Sequence, residues 1–205
     1  MSLAIVLPAS RASAAPCDTP IVNEIACENT KVGNLSSEWQ ITGSGSASIQ
    51  GFATDISVNR GSTIGFKVKT TASSYRLDIY RMGYYGGRGA RKITTVNPTS
   101  YPTQPTSCLS NSTGLVDCGN WAQTASWAVP ADAVSGIYFA KLVAGTAASH
   151  IMFIVRNDAS TSDLFFQTSD TTWQAYNDYG GNSLYEGSPA GRAYKVSYNR
   201  PFDTN

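Results

Sequence analysis

From about residue 21 to residue 156 the chain alternates apolar and polar residues with a period of two, broken at short intervals by turn residues. That period belongs to half-buried antiparallel strands and excludes a helical bundle. In the stretch 63–69, Ile64, Phe66 and Val68 point one way and the lysines the other, and 75–81 repeats the pattern with Tyr75, Leu77 and Ile79 inward. Further strands are expected at 52–58, 90–96, 121–129, 137–143 and 151–155. The connections at 59–61, 83–89, 98–105 and 130–136 carry the glycines, prolines and asparagines that turns use. Seven or more short strands at this spacing predict an immunoglobulin-like or fibronectin-like antiparallel β-sandwich.

The texture changes after Arg156. A polar stretch, 158–162, reads as a linker, and Leu164-Phe165-Phe166 then begins a continuous apolar run of the kind a strand covered on both faces would show. The expected organisation is therefore a leader over 1–16, a sandwich over 17–157, the linker, and the incomplete start of an α/β domain over 163–205. Some forty residues are too few to complete such a domain.

Fifteen Lys and Arg against fourteen Asp and Glu leave no basic footprint for nucleic acid or an anionic membrane surface. No apolar run approaches the ~18 residues of a membrane span, so membrane insertion is not expected. Ala4 to Pro8 followed by Ala12-Ser13-Ala14-Ala15 reads as the tail of a secretory signal, which places the protein outside the cell or in the periplasm. Cysteine usage agrees with export. Cys17 and Cys27 are separated by nine residues, as are Cys108 and Cys118, unlike zinc knuckles or thioredoxin-like motifs. Local disulfides Cys17–Cys27 and Cys108–Cys118 are the expected pairing of the three possible, against a competing reading as four reduced thiols.

Several features invite a chemical reading. The single histidine, His150, heads a predicted strand with no Gly-x-Ser-x-Gly elbow near it, which favours a structural role. The run Gly83-Tyr84-Tyr85-Gly86-Gly87-Arg88-Gly89 lacks the Gly-Lys-Ser/Thr and the following helix of a phosphate loop. It reads as a wide connection whose Tyr84 and Tyr85 pack over the sandwich end or face a neighbour. Thr171-Thr172-Trp173-Gln174 fits a capping box with Thr171 as N-cap, and Gly180 sits where a helix would end. On the short helix between them Trp173, Tyr176 and Asn177 share a face, with Tyr179 at its shoulder. A tyrosine there serves as core packing, as a wall for a ligand, or as a metal ligand after ionisation of its phenol; spacing does not choose among them.

Taken together, Glu38-Trp39-Gln40-Ile41, Gly51-Phe52-Ala53-Thr54-Asp55, Tyr80-Arg81-Met82-Gly83-Tyr84-Tyr85-Gly86-Gly87, Trp127-Ala128-Val129-Pro130 and Thr172-Trp173-Gln174-Ala175-Tyr176-Asn177 resemble the front part of proteins related to the large (beta) subunit of N,N-dimethylformamidase. The resemblance implies a secreted amidohydrolase whose α/β domain binds one iron through two tyrosines and a glutamate, the metal polarising the amide carbonyl and activating water. Tyr176 would correspond to one ligand, with Tyr179 as its rival. Tyr194 and Tyr198 are available, but the other two ligands are expected beyond Asn205, on a missing C-terminal catalytic domain. By itself this fragment would hold no iron and be inactive. The competing functions are an extracellular binding module stacking glycans or a cell-surface partner on Tyr84, Tyr85 and Trp121, and a self-associating envelope or filament protein.

Overall fold

A computed structural model describes residues 15–203; the leader reading lies almost wholly outside them. Along the chain run α1 (Glu24–Glu28), α2 (Ser36–Trp39), β1 (Ile49–Ala53), β2 (Ser57–Asn59), β3 (Thr63–Thr70), β4 (Arg76–Met82), β5 (Ala90–Val96), β6 (Leu109–Ser110), β7 (Val116–Asp117), β8 (Ala125–Ala128), β9 (Gly136–Ala144), β10 (Ala147–Arg156) and α3 (Asp170–Tyr176). One sheet has the order β1-β3-β8 and the other β2-β10-β9-β4-β5, while β6 and β7 form a separate ribbon. All pairings are antiparallel except β2 with β10. The two sheets close over Ile64, Phe66, Leu77, Ile79, Trp127 and Phe153, among others. This is the immunoglobulin-like sandwich that the alternation predicts.

Two strands differ from expectation for local reasons. The stretch 52–58 is not one strand but two, β1 and β2, which lie in different sheets. The chain leaves the first sheet at Thr54, whose Oγ1 accepts from the Gly65 amide at 3.1 Å. The eighth strand starts only at Ala125, because the Gln104 side chain takes both backbone groups of Ala122, at 2.8 Å each. Gly51 is held by close approach: a Cβ there would stand 2.7 Å from the Lys67 carbonyl oxygen of the paired strand.

β4 is buried on both faces, which simple alternation does not predict. Its outer face is covered by the segment before β1. Trp39 of α2 packs on Phe139, which stacks on Tyr80 with ring centroids 5.2 Å apart. His150 Nε2 donates to the Trp39 carbonyl at 2.7 Å, and Lys141 Nζ donates to the Glu38 and Gln40 carbonyls. Asn34 acts as a surrogate strand residue: its amide donates to Ala90 O and its Oδ1 accepts from Lys92 N. Both expected disulfides are formed, Cys17–Cys27 and Cys108–Cys118. The first ties the chain's early residues to α1, the second closes the β6–β7 ribbon.

The start of an α/β domain is not visible. Residues 163–168 form no strand, and Leu164, Phe165 and Phe166 are 90%, 89% and 80% exposed. A strand requires a neighbour to take its backbone groups, and among the described residues none lies beside this run.

Candidate functional site

α3 also starts and stops differently from its sequence signals. Its N-cap is Ser169, not Thr171, with no side-chain cap bond. Its end is set by Asn177 and not by Gly180. The fully buried Asn177 amide donates to Pro201 O at 2.9 Å and to Gln174 Oε1 at 3.3 Å, while its Oδ1 accepts from Tyr179 N and Asp203 N. The expected sharing of one face by Trp173, Tyr176 and Asn177 therefore holds only for the first two. Asn177 turns into the protein, and its hydrogen-bonding capacity is spent on three backbone groups and the Gln174 side chain.

Trp173 and Tyr176 line an open, largely apolar pocket of about 360 Å³ together with Met152, Thr172 and Phe202. Beside it Tyr176 stacks on Tyr185, ring centroids 4.3 Å apart and planes 16° from parallel. Both rings are more than half exposed. The neighbouring Tyr176 phenol holds the Tyr185 phenol above its ordinary pKa. Tyr179 lies on the opposite side of this segment, against Phe52, Trp121 and the Cys108–Cys118 bridge, with its hydroxyl donating to Gln50 Oε1 at 3.4 Å. Burial, then the nearby Asp203 carboxylate, raises its pKa. Of the two rivals, Tyr176 is the one that faces outward.

Tyr198 is tied to the start of α3, its hydroxyl donating to Asp170 Oδ2 at 2.7 Å. Burial and then that carboxylate push its pKa up to about 12. Tyr194 is exposed, with the Arg192 guanidinium 5.9 Å from its ring centroid. Neither makes a hydrogen bond or ring contact with Tyr176, whose ring partner is Tyr185.

The stacking platform of the binding-module reading does not assemble. Trp121 is buried against Phe52, and Tyr85 is buried between Glu28 and Arg81, because the covering N-terminal segment reaches the 83–89 connection. Only Tyr84 stays exposed, its backbone amide held by Asn29 Oδ1 at 2.7 Å.

One residue organises this region without a sequence signal. Arg200 is 1% exposed, and its guanidinium donates to four backbone carbonyls: Gln174 at 3.2 Å, Asn177 at 2.7 Å, Tyr179 at 3.2 Å and Asn182 at 2.7 Å. Burial pulls its pKa down to about 10, opposed by the Asp178 carboxylate, so it remains charged at neutral pH. Nothing in Asn199-Arg200-Pro201 marks a buried cation; long charged side chains are ordinarily exposed.

Among curated proteins none matches the chain. Solved structures resemble it only distantly. An uncharacterized protein from Bacillus anthracis str. Ames is 10% identical, with 48% of this chain and 75% of that chain covered, at a TM-score of 0.32. The M1 domain from titin is 12% identical over 56% and 98%, at 0.30, and VCBP3 domain 1 from Branchiostoma floridae 10% identical over 57% and 100%, at 0.34. The fold assignment rests on the sheet order and registers given above. A family model, by contrast, matches residues 76–205, from the first residue of β4 through α3 and the segment that packs around it. By that match the chain belongs to the N,N-dimethylformamidase beta subunit-like, C-terminal family.

Proposed function

We propose that this chain supplies the β-sandwich and the α3-bearing flank of an exported dimethylformamidase-like amidohydrolase, with Tyr176 as one ligand of a catalytic iron. The observation that carries this reading is the bare apolar surface next to α3. Leu164, Phe165 and Phe166 stand almost fully in solvent a few residues before α3, and α3 itself lines an apolar pocket through Trp173 and Tyr176, with Phe202. Exposed apolar side chains in such a run mark an interaction site, and here a catalytic domain would cover them. Export accords with two disulfides, which persist in oxidising compartments. Among the described residues no helix is long and apolar enough to cross a membrane.

An iron ion does not fit the described residues by themselves. They contain no group of three or more His, Cys, Asp or Glu able to hold a metal, and one exposed phenol cannot retain a cation. The remaining donors come from outside these residues. The test is the iron content of the purified protein together with its catalytic domain, by elemental analysis, alongside hydrolysis of N,N-dimethylformamide. Tyr176→Phe is expected to lose both. A variant that keeps its iron and activity overturns the ligand assignment; a wild-type protein with neither overturns the reading as a whole.

A further inference from the structure

The segment 197–203 crosses α3 and fastens it at both ends. Tyr198 donates to Asp170 in the first turn of α3, and Arg200 gathers carbonyls from its last turn. The backbone joins in: Pro201 O accepts from Asn177 Nδ2, and Asp178 N donates to Asp203 O. The same segment is fixed to the sandwich. Cys118 N donates to Asn199 O at 2.6 Å, and Ser197 Oγ donates to Asp117 Oδ2 at 2.8 Å. A strap anchored on the Cys108–Cys118 loop thus holds the helix that carries Tyr176.

From this geometry we infer that Arg200 is a positioning residue for Tyr176, fixing the end of α3 from which that phenol projects. The Gln174 and Asn177 carbonyls that Arg200 holds flank Tyr176 in sequence, so the guanidinium sets the backbone on both sides of it. Four converging carbonyls would leave unsatisfied acceptors in a buried site, and a rigid planar fork of N–H donors satisfies them where a lysine ammonium, a compact point charge, does not. The positive charge also meets the negative end of a helix. α3 is only seven residues long, too short to be stable on its own propensity, so its geometry depends on such contacts. This role rests on the reading of Tyr176 as the chemistry-bearing phenol, but its test does not depend on iron.

Arg200→Lys and Arg200→Met in the full chain are read by amide hydrogen exchange of Trp173 and Asn177 and by the nuclear Overhauser contacts between the stacked Tyr176 and Tyr185 rings. Both variants are expected to lose roughly tenfold or more in α3 protection while β9 and β10 keep theirs. The contacts between the Tyr176 and Tyr185 rings should weaken as the end of α3 loosens. Unchanged α3 exchange and unchanged contact between the Tyr176 and Tyr185 rings overturn the inference, whether or not the protein binds iron. If both variants fail to fold, the wild-type guanidinium decides: side-chain nitrogen NMR should show slow exchange and hindered rotation for Arg200, and a freely exchanging guanidinium overturns the proposal. Loss of iron in Tyr176→Phe with intact α3 exchange tests the other reading separately.

Discussion

The Tyr85 hydroxyl donates to Glu28 Oε1 at 3.0 Å, joining the turn between β4 and β5 to the last residue of α1. The same carboxylate accepts from Arg91 Nε at 2.7 Å and pairs with Lys31 at 2.7 Å, and Arg81 donates to the Tyr85 oxygen at 3.1 Å. A buried carboxylate with this many donors is tolerated because each desolvated lone pair is satisfied. Tyr85→Phe removes one donor to a charged acceptor and should destabilise the protein by about 1–3 kcal/mol in urea unfolding. Glu28→Leu should cost more, since Arg91, Lys31 and Tyr85 lose their common anchor.

Acid should weaken the fold in two stages. Burial alone would lower the His150 pKa, and it prevails over the hydrogen bond to Trp39 that opposes it, so the folded imidazole stays neutral below 6.5. The unfolded chain then binds the extra proton, and stability falls as the pH drops from about 6.5 toward the folded value. The second stage comes from Glu28 and Asp78. Burial would raise both, but the hydrogen bonds from Lys31, Arg91 and Tyr85, and from Lys92 and Thr95, outweigh it and leave both lowered. Their contribution is complete above the ordinary carboxylate range and disappears as the pH falls through the lowered folded values. Melting temperature against pH should show both stages, and His150→Gln should flatten the upper one alone.

Removing the bridge by Cys108→Ser with Cys118→Ser should cost roughly 2–3 kcal/mol, as expected for a loop of about ten residues. The effect should also travel. The 182–199 segment hydrogen-bonds this loop through Asn182 to Gly114 O, Tyr194 N to Thr113 O and Ser197 to Asp117. Limited proteolysis should therefore cut within 182–199 sooner in the variant, while the sandwich strands resist.

Gly114 gives an independent handle on the same contact. It sits at φ +78°, and a Cβ there would run into the Ser188 carbonyl oxygen and stand 3.0 Å from Ala193. Gly114→Ala should cost about 1–3 kcal/mol through left-handed strain and overpacking. Thermal unfolding measures the loss, and hydrogen exchange should localise it to 182–199.

What the amino-acid order conveys depends on how local the causes are. β3, β9 and β10 are legible because each strand's alternation reports its own two faces, and the disulfides because each joins neighbours in sequence. β4 is less so: Asp78 and Tyr80 face Arg76, Lys92 and Phe139 under a layer that begins more than thirty residues earlier. Tyr85 and Trp121 looked available for ligands for the same reason, since their burial is imposed by chain far away. At α3 the apparent capping box lost to tertiary contacts, with Asn177 and Arg200 setting the helix end. Tyr176 and Trp173 were identifiable as one face; Phe202 and Met152, which complete the pocket, and Tyr185, which stacks on Tyr176 beside it, come from three other stretches of chain.

The stretch shared with the family begins at Arg76, where β4 begins. Inheritance and folding therefore draw different borders through this molecule. A polypeptide cut at that border would leave β8 without β3, strip β2 from β10, and uncover one side of the core formed by Phe153, Tyr138 and Trp127. Whatever chemistry relatives share from residue 76 onward, here it is carried on a scaffold whose other half is written upstream, and expression designs that respect only the shared stretch should yield aggregates.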